Sequence, residues 1–159
     1  MGQPVDAEVI ANALPGTWHL SATNLPMWLD GSRRSPEREY ELLSQQPLAI
    51  TDRLRFTDAK GASHTIEGTD RWAGEGFVWR GAGRLRLNRA RWSIAALDDD
   101  VLVSHFERSR LTPAGTEVAI REGSRHPELR RLIATDLQRF GLSLEQFASL
   151  TWLDHVPAM

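Results

Sequence analysis

The sequence contains no cysteine, which excludes disulfide bonds, thiolate zinc sites and iron–sulfur clusters. Because a chain without disulfides suits a reducing compartment, we expect a cytoplasmic location. Long apolar runs are also lacking, since no stretch approaches the roughly 20 residues of a membrane-spanning helix. Residues 1–13 lack the basic start and the apolar core of a signal peptide. We therefore expect no association with a membrane.

An excess of either charge is also absent. Nineteen lysines and arginines oppose 21 aspartates and glutamates, which gives a net charge of −2. Lys60 is the only lysine, and the arginines form no basic patch in the sequence. Some of the arginines lie near acids, in predicted loops or on outward faces, which indicates a solvated surface; these are Arg33, Arg34, Arg38, Arg84, Arg86, Arg89 and Arg91. We therefore expect no nucleic-acid partner.

Motifs for metals, cofactors and covalent catalysis are missing as well. No histidines have the spacing of the His-Glu-x-x-His zinc motif, and there is no Gly-x-Ser-x-Gly nucleophile elbow. Gly81 and Gly83 lie in a predicted strand that no helix follows, so they do not form a phosphate loop. We expect neither a metal nor a cofactor.

The composition itself is that of an ordinary globular protein. The chain has 159 residues, of which 41% are hydrophobic, and this length fits a single domain over residues 1–159. Six tryptophans accompany one tyrosine. Aromatic surface on this scale belongs either to a core or to the wall of a ligand pocket.

Short strand-like segments dominate the chain between residues 16 and 122. After a short helix over 7–14, the predicted strands cover residues 16–22, 38–43, 50–57, 64–72, 77–87, 91–97, 101–109 and 117–122. Turn residues such as those at 58–62, 73–76 and 98–100 separate them. Sequential hairpins of this kind predict an all-β fold, an antiparallel up-and-down β-barrel of about eight strands.

A helical tail is predicted over residues 126–153. Leu129, Ile133 and Leu137 recur at helical spacing, Gly141 ends that helix, and residues 143–146 form a capping box for another. The tail packs either on the barrel or on a second subunit as a homodimer. Its apolar side chains are Leu132, Leu137, Phe140, Phe147, Leu150 and Trp152.

Hairpin pairing predicts which side chains share a face of the sheet. A turn at 73–76 places Trp72 opposite Phe77 and Asp70 opposite Trp79, while charged residues occupy the other face. A turn at 58–62 extends the same face, with Phe56 opposite His64, Leu54 opposite Ile66 and Asp52 opposite Gly68. The turn at 73–76 also places Gly83 opposite Ile66, and a turn at 88–89 then places Leu85 opposite Trp92 and Gly83 opposite Ile94.

The inward face of these hairpins carries two carboxylates, Asp52 and Asp70, beside Trp79. A buried carboxylate is costly unless it is paired or neutral. Two that lie close together split their pKa values, which suits acid–base catalysis. The alternative is a structural role, in which either carboxylate accepts backbone N–H bonds at the barrel rim.

His105 is a third candidate for catalysis, and its direction depends on the turn at 98–100. A turn of two or four residues points Val101, Val103 and His105 inward, whereas a turn of three points Leu102, Ser104 and Phe106 inward. His64 is expected at the rim.

The apolar segment 25–29 is predicted either to cover one mouth of the barrel, with Met27 and Trp28 touching the ligand, or to pack on the tail helices. The side chains predicted to contact a ligand are Trp28, Met27, Tyr40, Phe56, Ile66, Trp72, Phe77, Trp79, Trp92 and Phe106.

The first predicted strand contains Gly16-Thr17-Trp18, which resembles the Gly-x-Trp signature of lipocalins and their calycin relatives. In that family the tryptophan closes the base of the barrel, often under an arginine from a late strand, and the resemblance offers Arg110 or Arg121 for that place. The wider pattern is similar to uncharacterised bacterial and fungal lipocalin-like proteins. The matching stretches are residues 25–28, 66–70, 77–81, 91–92 and 111–115.

The resemblance covers residues 16–122 and implies that the barrel binds a ligand. It does not imply a reaction, because the fold hosts carriers and enzymes alike. Three hypotheses follow: a binding protein for a small apolar or aromatic molecule, a cofactor-independent isomerase, lyase or cyclase that uses Asp70, Asp52 and His105, or an interaction module that dimerises through its tail.

Overall fold

The computed structural model describes residues 5–153, and about half of them lie in one antiparallel sheet. The strands are β1 Gly16–Thr23, β2 Arg33–Gln45, β3 Leu48–Asp58, β4 Ser63–Trp72, β5 Phe77–Gly81, β6 Arg89–Asp98, β7 Val101–Phe106, β8 Gly115–Arg121 and the short β9 Thr151–Trp152. The helices are α1 Ala7–Ala13, α2 Leu129–Thr135 and α3 Leu144–Ser149, with single 3₁₀ turns at Pro26–Trp28 and Gly83–Leu85.

The sheet closes on itself. Neighbouring strands pair in the order β2-β3-β4-β5-β6-β7-β8-β1, and β1 also pairs with β2, with Gly16 opposite Tyr40. The short strand β9 pairs with Ala22 and Thr23 at the C-terminal end of β1. The predicted eight-stranded up-and-down barrel with flanking helices is therefore confirmed. Within the described range, no helix has both the length and the apolar character needed to cross a membrane.

One end of the barrel is filled. Helix α1 begins at Asp6, whose Oδ1 accepts a hydrogen bond from the backbone of Val9 at 2.9 Å, and it buries Ile10 under the strands. Trp18 is 1% exposed, and its indole N–H donates to the Leu14 carbonyl at 2.9 Å. The guanidinium of Arg121 lies 4.3 Å from the centre of the Trp18 ring. Arg121 therefore occupies the place for which the resemblance offered Arg110 or Arg121.

The pairing predicted for two hairpins is confirmed. Asp52 lies opposite Gly68 and Leu54 opposite Ile66, and Asp70 lies opposite Trp79. The third predicted hairpin is wrong, because β5 ends at Gly81 and the chain then forms the 3₁₀ turn. Trp92 consequently lies opposite Phe77 rather than Leu85, and Gly83 pairs with neither Ile66 nor Ile94.

A β-bulge decides the direction of His105. The turn after β6 contains two residues, because Asp98 pairs with Val101, yet Val101 and Val103 face outward. Ala95 is the extra residue of the bulge, because the register of β6 shifts between Ile94 and Ala96. Beyond it, the side chains of β6 and β7 point to the opposite face from the one that simple alternation gives. Leu102 therefore lies in the barrel interior. The expectation that a two-residue turn points His105 inward is wrong.

The tail packs on the barrel of its own chain. Phe140, Leu142 and Leu150 are buried in one cluster with Val103 and Val118 of β7 and β8. The predicted capping box is present, since Ser143 and Gln146 each accept a hydrogen bond from the other's backbone N–H, at 3.0 and 2.8 Å. Of the two alternatives for the tail, the structure shows packing on the outer face of the barrel.

Candidate functional site

A cavity of about 260 Å³ lies inside the barrel, at the end opposite helix α1. Strands β2 to β7 and the loops beside the mouth form its wall, which is mostly apolar. The cavity is lined by Leu25, Met27, Arg33, Arg38, Asp52, Leu54, Ile66, Trp79, Leu85, Ala90, Trp92, Phe106, Ser109, Leu111 and Thr112. Beyond it, Trp18, Tyr40, Ile50 and Phe77 fill the closed end.

The apolar wall contains one carboxyl, that of Asp52. Its strand position opposite Tyr40 and Gly68 directs the side chain inward, and the residue is 4% exposed. The absence of a side chain at Gly68 matters here, because a Cβ at that position would lie within 2.5 Å of Cε2 of Trp79. Glycine therefore lets the Trp79 indole lie flat against the strand beside the cavity.

Asp70 lies directly behind Asp52. It is opposite Ile50, two residues along β3 from Asp52, so the two carboxyls are diagonal neighbours on the same face. Asp70 is fully buried. Its Oδ1 accepts a hydrogen bond from Nε1 of Trp92 at 2.9 Å, whereas Oδ2 accepts none from the part of the chain that the structure describes. Neither carboxyl lies at the rim.

The pKa values of both carboxyls are raised. Burial, and after it the charge of Asp52 and the hydrogen bond between the two groups, raise the pKa of Asp70 well above its ordinary value of about 4. Burial also raises the pKa of Asp52, against the opposing effects of the Asp70 hydrogen bond and the Arg38 charge. Burial thus favours the protonated form at both carboxyls, and more strongly at Asp70.

A buried ion pair completes the interior. Nε and Nη2 of Arg38 donate to the two carboxylate oxygens of Glu117 at 2.9 and 3.0 Å, and Glu117 also accepts from Nε1 of Trp28 at 3.1 Å. The guanidinium lies 5.0 Å from the ring centre of Phe106. The prediction that Arg38 is a solvated surface residue is wrong. The sequence does contain a signal for its inward direction. Arg38 is two residues from Tyr40, so both side chains lie on one face of β2.

The mouth of the cavity carries the segment predicted to cover it. Met27 lines the opening, and Trp28 is buried behind it with its ring edge against Phe56, the ring centres 5.8 Å apart. The guanidinium of Arg33 stacks over Phe56 at 4.6 Å. Leu111, from the loop between β7 and β8, approaches from the other side and is 52% exposed.

The predicted site residues, with the exception of His105, either line the cavity or pack around it. The cavity wall contains Asp52, Met27, Ile66, Trp79, Trp92 and Phe106. The packing around it contains Asp70, Tyr40, Trp28, Phe56, Trp72 and Phe77. His105 belongs to neither group, because its ring lies under the tail, with Nδ1 3.0 Å from Oγ1 of Thr116 and Nε2 3.1 Å from the Gly141 carbonyl oxygen. Its proposed role beside Asp52 and Asp70 is therefore withdrawn.

Two other histidines lie at the surface of the barrel. His64 stacks on Phe56, with ring centres 5.3 Å apart, and contacts Asp58 at 2.8 Å. His19 lies between Glu37 and Glu122, a group in which three ligand atoms are within 4.8 Å of one another. The two ring nitrogens of His19 point to different carboxylates, at 3.9 and 3.4 Å, so the three side chains do not converge on one point.

Comparison with known proteins bears on the fold. No family model matches the sequence, and no curated protein matches it. Among solved structures, the chain is similar to the amine-binding protein of Rhodnius prolixus in complex with tryptamine, at 10% identity and a TM-score of 0.65 over 92% of this chain and 82% of that one.

Two further structures show the same likeness. Lobster apocrustacyanin A1 matches at 10% identity and a TM-score of 0.62, covering 95% of this chain and 87% of that one. A bovine lipocalin allergen matches at 16% identity and a TM-score of 0.57, covering 89% and 93%. At these identities the likeness shows the fold alone: the chain has the closed β-barrel of the lipocalins and their calycin relatives.

Proposed function

We propose that the protein binds a small, largely apolar or aromatic organic molecule inside its barrel. The observation that carries this proposal is the cavity itself, with Ile66, Trp79, Trp92 and Phe106 in its wall. Its volume of about 260 Å³ is near the lower end of ligand pockets, which run from roughly 300 to 1,000 Å³. The ligand is accordingly small.

The fold and the composition support the same proposal. A solved relative in fold is described as an amine-binding protein in complex with tryptamine, and another as a siderocalin with dual ligand specificities. A cytoplasmic location belongs to this proposal, because the cysteine-free sequence suits a reducing compartment.

The test uses N-phenyl-1-naphthylamine, a neutral probe that fluoresces in apolar surroundings. Saturable binding of one probe per chain, with energy transfer from tryptophan, is expected because Trp79 and Trp92 line the cavity. Ile66→Trp fills the cavity and should abolish binding. Leu87→Trp adds the same side chain at a position that is 83% exposed and should not. Equal binding by both variants would place the probe outside the barrel and contradict the proposal.

The carboxyl pair favours a second candidate, a cofactor-independent isomerase, lyase or cyclase. Asp52 faces the cavity and can exchange a proton with a bound molecule, while Asp70 holds a proton behind it. The test follows deuterium exchange of the α-protons of 1-tetralone by NMR. Acceleration over buffer that Asp52→Asn removes supports the candidate, whereas binding without acceleration contradicts it.

A further inference from the structure

The charges around the inner part of the cavity do not balance. Arg38 is bound by both oxygens of Glu117, so the two charges cancel within one buried pair. The Arg38 side chain is 16% exposed and the Glu117 side chain 6%. Asp52 and Asp70 lie next to this pair, and Asp52 faces the cavity. Three carboxyls are therefore buried around one guanidinium that Glu117 already binds, so the charge of an ionised Asp52 has no cation of its own.

No other cation of the cavity wall reaches that charge. Among the described residues that line the cavity, the second cation is Arg33, which stacks on Phe56 at the mouth. Phe56 lies four residues along β3 from Asp52, which is roughly 13 Å at strand spacing. A charge that is buried without a partner is costly, and here the Asp52 carboxyl faces a cavity that can accept a ligand.

Resting on the ligand-binding function proposed above, we propose that the ligand carries a protonated amine at its inner end and that the Asp52 carboxylate binds this ammonium group. The apolar or aromatic body of the ligand then packs against Trp79, Trp92 and Phe106. These rings also favour a cation through their negative faces. Because Asp52 is already largely desolvated in the free protein, it loses little hydration when the amine binds, and the attraction is strong among buried, mostly apolar side chains.

The experiment compares three molecules that differ only in charge. These are 4-phenylbutylamine, 4-phenylbutan-1-ol and 4-phenylbutanoate, titrated into the full chain by calorimetry at pH 7.5. A charge-assisted hydrogen bond is about twice as strong as a neutral one, so the amine should bind about tenfold or more tightly than the alcohol. The carboxylate should bind more weakly than either. An alcohol that binds as tightly as the amine would overturn the proposal.

Two variants assign the effect to Asp52. Asp52→Asn should reduce the affinity for the amine to that for the alcohol and leave the alcohol within about threefold of its original value. Glu75→Gln removes a carboxylate from an exposed turn and should change neither. An amine preference that survives Asp52→Asn would overturn the role of Asp52.

If Asp52→Asn does not fold, a pH series on the unaltered protein tests whether an interior carboxylate binds the amine. An alkylamine keeps its charge below its pKa of about 10.4, so a loss of amine affinity between pH 8 and 4 reports protonation of the interior carboxyls. The alcohol, which has no charge to pair, should not share that loss. Amine affinity that does not fall would overturn the proposal. If neither N-phenyl-1-naphthylamine nor any of the three molecules binds at all, the failure belongs to the ligand-binding function and not to the choice of an amine.

Discussion

At the scale of single residues, Asp70 gives the protein an unusual pH dependence. Its carboxyl is protonated in the folded chain at a pH where the unfolded chain has lost the proton, since burial and Asp52 raise its folded-state pKa. The folded state therefore binds more protons than the unfolded state above pH 4, and stability falls as the pH rises through that window. An ordinary salt-bridged carboxylate, such as Asp98 beside Arg139 with its lowered pKa, acts in the opposite direction.

The replacement Asp70→Asn tests this behaviour. Asparagine keeps a carbonyl oxygen for the Trp92 N–H and an N–H₂ donor for Asp52, and it has no charge to desolvate. We expect the free energy of unfolding of the original protein to fall as the pH rises above about 4 and that of the variant to fall less, measured by urea denaturation over a series of pH values. Glu75→Gln should follow the original protein. A variant that follows the original slope would show that Asp70 ionises normally.

The buried Arg38–Glu117 pair is a second feature at this scale, and its effect on stability depends on whether one partner or both are replaced. Removing one partner of a buried pair leaves an unpaired charge and costs about 3–5 kcal/mol, whereas replacing both with apolar side chains is often nearly neutral. We expect Arg38→Met and Glu117→Met each to destabilise strongly and the double variant to recover much of the loss. The double variant should not recover all of the lost stability, because Trp28 also loses its acceptor on Glu117. Additive losses in a double-mutant cycle would contradict the pairing.

At the scale of secondary-structure elements, the sequence predicted most where alternation was regular. Strands β3, β4 and β5 alternate charged and apolar residues, and Asp52, Asp70 and Trp79 were placed on the inner face by counting from the turns. Counting alternate residues from the turns gave the wrong face where the backbone departs from regular alternation. The bulge at Ala95 reversed the faces of β7, and the 3₁₀ turn after Gly81 moved Leu85 out of the sheet. Neither departure has a local signal, since both depend on what packs against the strand.

The candidate site shows the same limit. Asp52 and Asp70 could be predicted because they interrupt an apolar face, which sequence alone reveals. The burial of Arg38 was not predicted, although its spacing from Tyr40 places it on the inner face, because the acid that neutralises it, Glu117, is 79 residues away in the sequence. Long-range pairing of this kind becomes visible only once the barrel has closed.

The bulge and the tail stabilise one another, and Gly141 is the point of contact. It has a φ of +65°, and a Cβ at this position would lie 2.5 Å from the Ala95 carbonyl oxygen. Gly141→Ala should therefore cost more than the about 1–2 kcal/mol of a left-handed backbone alone. Gly123→Ala provides the matched control, since its φ is +88° with nothing within 4 Å. Equal losses of stability in thermal or urea unfolding would show that the tail does not press on the bulge.

At the scale of the whole molecule, the two ends of the barrel are built for different tasks. The closed end is held by Arg121, which donates to the carbonyls of Ala13 and Pro15 and covers the Trp18 ring. The mouth is formed by the segments that contain Met27 and Leu111, both of which line the cavity. A binding barrel needs both features, because a rigid base fixes the shape of the cavity while a movable rim lets the ligand pass.

This division predicts that stability and ligand exchange can be altered separately. Arg121→Leu removes two hydrogen bonds from a charged donor and should lower the free energy of unfolding by about 2–3 kcal/mol, with little change in the dissociation rate of N-phenyl-1-naphthylamine. Met27→Ala should speed probe dissociation several-fold in stopped-flow fluorescence and leave stability within about 1 kcal/mol, because Met27 covers the mouth rather than the core. If Arg121→Leu accelerates dissociation as much as Met27→Ala does, the ligand does not enter through the mouth beside Met27, and the closed end is part of the exchange path.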